Sequence, residues 1–169
     1  MSGPRERPPV TISASPADSS GHSTGPAHRI LALDLGSKTI GMAISDPLGI
    51  TAQGLETLRR KNKRTDLQRL EEVIRQYEIA EIVLGYPLRL SGEKGRQAAS
   101  AAAFAEELRR CFALPVHLWD ERLTSVQANR LLREADLSIR KRAAAVDRLA
   151  AVLILQAWLD ARAGTPSPE

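Results

Sequence analysis

The chain has 169 residues, enough for one domain with a self-sufficient core, and its 43% hydrophobic and 26% charged residues are ordinary for a globular protein. No run of 18 apolar residues exists, which argues against a membrane span, and the N-terminus lacks the apolar core of a signal peptide. The net charge of +4 and pI of about 9.6 favour a polyanionic partner without proving one.

Residues 1–28 hold five prolines and six serines with almost no aliphatic clustering. That composition cannot bury enough apolar surface to offset ordering, so a disordered tail is expected. The same holds for 164–169, which leaves a single domain over 29–163. Only Arg5 and Arg7 among the cations precede residue 29, so the positive excess belongs to the domain.

RILALDL (29–35) and TIGMAIS (39–45) read as antiparallel strands joined by GSK, and 50–58 as a third strand pairing back. Residues 65–77 place Leu67, Leu70, Val73, Ile74 and Tyr77 at helical spacing, with Thr65 as the cap. A buried strand over 80–85 follows, then a loop, an alanine-rich helix at about 96–112, and a strand at 114–119. Helices at about 124–135 and 144–162 complete the chain. The order predicts a mixed α/β sandwich.

Cys111, the one cysteine, has no partner for an internal disulfide or a zinc site, fits a reducing cytoplasm and reads as a core-facing helix residue. His117 reads as a half-exposed strand residue, and His22 and His28 lie in or beside the tail.

Three acids stand in pointed settings. Asp34 closes the first strand in phase with Ile30 and Ala32, and Gly36 beside it lets the backbone turn and a phosphate or ion approach. Asp120 and Glu121 end a later strand on opposite faces, so only one of them shares a pocket with Asp34. Asp147 heads the stripe Ala150, Ala151, Ile154 and Trp158 on the last helix and so faces the sheet. Carboxylates without a histidine or cysteine cluster suit Mg²⁺ or Mn²⁺. Two basic runs, RRKNKR at 59–64 and IRKR at 139–142, read equally as solvated loops and as a polyanion-facing surface.

The segments DLGSKTIGMAISD, VLGYPLRLSGEKG, VHLWDERLTS and VDRLAAVLILQAWLD, in that order over about 29–162, resemble the YqgF/RuvX family of relatives of Holliday-junction resolvases. The resemblance implies an RNase H-like fold with a mixed five-stranded sheet, three strands antiparallel and the rest parallel, flanked by helices. It also selects Asp34, Glu121 and Asp147 as catalytic and metal-binding residues for Mg²⁺ or Mn²⁺. Lys38, Arg89, Lys94, Arg96, Arg122 and Lys141 are the expected nucleic-acid contacts, with the loop at 85–95 overhanging the pocket.

Family members are described as nucleases that process the 5′ end of precursor 16S rRNA; an older assignment is resolution of branched DNA. The family usually has GLP where this chain reads Gly85-Tyr86-Pro87, with Arg89 following. Two other readings start from the residues. DLGSKT is similar to the phosphate-binding turn of actin-like ATPases and sugar kinases, whose paired domains need about twice this length. A binding protein with vestigial acids would act as a ribosome-assembly or DNA-junction factor.

Overall fold

The computed structural model describes residues 28–87, 95–121 and 140–164, with side chains from 147 onward in the last segment. The expected tails and the helix at 124–135 lie outside the described residues. The described residues form, in order, β1 (Arg29–Leu35), β2 (Thr39–Ser45), β3 (Ala52–Gly54), β4 (Leu58–Arg59), α1 (Lys63–Gln76), β5 (Ile79–Tyr86), α2 (Arg96–Phe112), β6 (Val116–Asp120) and α3 (Arg140–Gly164).

One sheet carries the strands in the order β3-β2-β1-β5-β6, with β4 also paired to β2. β1 is antiparallel to β2 and parallel to β5, and β6 runs parallel to β5. The expected strand over 50–58 is interrupted. Its ends pair with opposite ends of β2, Ala52–Gly54 along Ala43–Ser45 and Leu58–Arg59 along Thr39–Ile40. Among the described residues the sheet therefore has six strands where five were expected.

Alternation along the central strands sorts the core into two layers. Leu31, Leu33, Ile40, Ile82 and Leu84 face α1 and α2, meeting Leu70, Ala101, Ala105 and Leu108. Ile30, Ala32, Ala43 and Val83 face α3, meeting Ala150, Ala151, Ile154, Leu155 and Leu159. Small alanines bring α2 close to the sheet at Ala98, Ala101 and Ala105, each nearly inaccessible. α3 is the only helix on its face among the described residues, so it decides what approaches the sheet there.

Two local expectations are corrected. The cap of α1 is Asn62, whose Oδ1 accepts the Thr65 backbone N–H at 2.9 Å, so Thr65 sits inside the first turn. Cys111 is exposed, because Phe112 takes the inward position in the last turn of α2. His117 is a half-exposed strand residue as expected, with Nε2 3.0 Å from Glu81 Oε2.

Candidate active site

Asp34 lies near the C-terminal end of the central strand β1, where its side chain follows Ile30 and Ala32 onto the α3 face. It is 3% exposed. A carboxylate this far from water is costly unless positive charge, donors or a proton compensate it. Its direct partner across β2 is Gly41.

Gly41 leaves room for α3. A Cβ built there would fall 2.2 Å from the backbone carbonyl oxygen of Asp147 and 3.4 Å from Asp34 Cβ. Real Cβ atoms do not approach that closely, so only glycine lets α3 descend onto the sheet at Asp147, beside Asp34. The Asp147 carboxylate is held from below by Thr39, whose Oγ1 donates to Oδ2 at 2.5 Å across 108 residues of chain. Thr39 and Gly41 are two apart on β2 and so share the face that Asp34 occupies.

Glu121 follows β6 directly. Asp120 pairs with Tyr86 and Trp119 with Gly85; Trp119 packs in the α3 layer, and alternation carries Glu121 to that same face. Glu121 is 2% exposed. Gly85 accommodates it, since a Cβ there would stand 2.5 Å from Glu121 Oε1 and 2.8 Å from Ile154 Cδ1. Gly85 lies one step past the Leu33–Leu84 pair of β1 and β5, beside Asp34 in the register. Asp34 is thus flanked on both neighbouring strands by glycines, one opened toward Asp147 and the other toward Glu121.

The cup sits at the carboxyl ends of three parallel strands, the customary ligand position in open α/β sheets. Its donors are all oxygens, suited to a hard divalent cation, and the two glycines let the Asp147 backbone and the Glu121 carboxylate come close to the sheet. Among the described residues, Asp34, Glu121 and Asp147 included, no group of three or more His, Cys, Asp or Glu side chains is placed to hold a metal ion by itself. Substrate oxygens or water would complete any coordination sphere.

The expected nucleic-acid contacts divide. Lys38 is exposed in the β1–β2 link and Arg96 is exposed at the start of α2. Lys141 lies on the first turn of α3, its side chain outside the described residues, and Arg89, Lys94 and Arg122 lie outside them altogether. Thr39 and Gly41 escaped the sequence reading. Their spacing on β2 opposite Asp34 was the available signal, but only the docking of α3 shows what they touch.

The fold is RNase H-like. It matches Thermus thermophilus RuvC, solved in complex with a Holliday junction substrate, at a TM-score of 0.52 over 84% of this chain and 99% of that one, with 17% identity. A second Thermus thermophilus RuvC structure matches at 0.50 with 14% identity, over 81% of this chain and 97% of the other.

The chain belongs to the RuvX family, described as Holliday junction resolvase, whose profile covers residues 28–161. A relative from Koribacter versatilis is 66% identical over 134 residues, 79% of this chain and 88% of its own length. Another from Moorella thermoacetica is 53% identical over 132 residues, 78% of this chain and 94% of its own. Both carry the name "Putative pre-16S rRNA nuclease".

Proposed function

We propose that the protein is a divalent-metal-dependent nuclease of the cytoplasm that hydrolyses phosphodiester bonds during 5′-end maturation of the 16S rRNA precursor. The observation that carries this reading is the pair of nearly inaccessible carboxylates, Asp34 and Glu121, set over Gly41 and Gly85 next to the Thr39-held Asp147. The names of the two relatives point to the substrate.

Asp34, Glu121 and Asp147 would hold Mg²⁺ or Mn²⁺. When bound, such ions generate a nucleophilic hydroxide near neutral pH and stabilise charge developing at phosphorus. The protein's own residues contribute position. β1 fixes Asp34 in the centre of the sheet, Thr39 orients Asp147, and the close approach of α3 keeps bulk water from the inner wall. Lys38 and Arg96 add positive charge at the exposed edges, which favours recognition of the phosphate backbone with weak sequence preference and marked salt dependence.

The test uses an RNA carrying the 5′ extension of the 16S precursor, beside a four-way DNA junction, with Mg²⁺, Mn²⁺ or EDTA. Wild type should cleave the RNA only with metal, and Asp34→Asn should fold normally and cleave more than about 100-fold more slowly. Undiminished cleavage by Asp34→Asn would refute the assignment. The family description favours a second reading, resolution of branched DNA, which preferential cleavage of the junction would establish. Metal-independent binding of either nucleic acid without cleavage would favour a non-catalytic assembly factor.

A further inference from the structure

The basic run at 59–64 lies beside the carboxylate cup. β4 ends on Arg59, the direct partner of Thr39 on β2. Directly opposed residues of paired strands project to the same face. The neighbouring pair, Leu58 and Ile40, is buried in the layer under α1 and α2. Arg59 therefore shares the opposite face with Thr39, the residue that holds Asp147.

The next residue anchors this position. The Arg60 backbone N–H donates to Lys38 O at 2.9 Å, and its Nη1 donates to Gly36 O at 2.7 Å. Buried Asp66 fixes the far side, with Oδ1 accepting the Lys61 N–H at 3.0 Å and Oδ2 lying 3.9 Å from Arg60 Nε. Lys63 is taken up by Glu107 at 2.5 Å. Lys38, Arg59 and Lys61 are exposed and have no carboxylate partner among the described residues. Two of the run's cations thus hold structure, while three along this edge are left facing solvent next to an acidic cup.

We propose that Arg59, with Lys38 and Lys61, forms a phosphate-docking ledge that seats the RNA strand flanking the scissile bond, and that Arg60 and Asp66 are the posts supporting it. This rests on the nuclease reading for the identity of the strand. The ledge offsets the repulsion between a polyanion and the carboxylates, and it acts on affinity rather than on the chemical step. A basic residue on an edge strand also discourages strand-to-strand association, a role that would leave RNA affinity unmoved.

The test is fluorescence anisotropy of a fluorescein-labelled RNA stem with a single-stranded 5′ extension. It is run in the Asp34→Asn background across about 50–200 mM salt, where phosphate contacts dominate the slope. Arg59→Ala should weaken binding about fivefold or more and lower the log–log salt slope by about 1. Arg59→Lys should restore most of the affinity, and Arg75→Glu, at the far end of α1, should leave it unchanged. In otherwise wild-type protein Arg59→Ala should raise KM and spare kcat.

Wild-type affinity and slope in both Arg59→Ala and Arg59→Glu would overturn the ledge, as would an equal loss in Arg75→Glu. Absence of metal-dependent cleavage by the wild type would instead sink the nuclease reading and leave the anisotropy result standing.

Discussion

Thr39 and Asp147, 108 residues apart, are joined by a 2.5 Å hydrogen bond that ties the start of β2 to α3. The bond matters because α3 brings its acid to the sheet from another layer, with no strand pairing to set its position. If Thr39 orients Asp147, Thr39→Val should lower cleavage about 10- to 100-fold, the range seen when a group supporting a metal ligand is lost. Thr39→Ser, which keeps the donor, should recover most of it. Metal affinity measured alongside should follow the same order. Wild-type cleavage by Thr39→Val with a loss in Thr39→Ser would show that the methyl contact, and not the hydroxyl, is what counts.

Gly41 and Gly85 should be among the least replaceable positions of the sheet. Gly41→Ala sets a methyl against the Asp147 backbone, which must move, and Gly85→Ala sets one against Glu121 Oε1 and Ile154. Each should cost about 1–3 kcal/mol of stability by overpacking, read from urea denaturation. Gly41→Ala should be the more damaging to activity at permissive temperature, because a backbone obstacle cannot rotate away as a side chain can. A Gly41→Ala protein with wild-type stability and cleavage would contradict the close approach of α3.

Much of this arrangement was legible in the chain itself. The phase of Asp34 with Ile30 and Ala32, and the stripe below Asp147, put both acids on the inner face where they are found. Periodicity reports on such faces directly. The β2–β3–β4 edge was harder to read, because Leu55 and Thr57 look like strand residues. Only the register shows that the chain leaves β2 and returns to it. Asn62, the cap of α1, stands inside a basic run that reads as loop, so the sequence pattern points to Thr65 instead. Contacts such as Asp147 on Gly41 depend on how helix and sheet dock, and no local pattern encodes them.

The β2–β3 turn gives a pH prediction. Asp46 accepts backbone N–H groups from Ile50 at 2.6 Å, Thr51 at 2.7 Å and Leu48 at 3.2 Å. The Thr51 amide, above all, holds its carboxyl below the ordinary value of 3.8. Because the folded value is depressed, the unfolded chain binds more protons between the two values. The stabilisation is complete above the ordinary value and disappears as pH falls through the folded one. Asp46→Ala should therefore melt below wild type at pH 7, and the gap in Tm should close as the pH is lowered past 3.8. A gap independent of pH over that window would show that the carboxylate charge is not what closes the turn.

The central claim, that acids from β1, the end of β6 and α3 together hold a divalent cation, is tested most directly by calorimetric titration of the folded protein with Mn²⁺. Wild type should bind, and Asp34→Asn and Asp147→Asn should each weaken binding by at least about 10-fold while keeping native circular dichroism. Binding that survives in both variants, or that is absent from wild type in the presence of RNA as well as without it, would contradict the account.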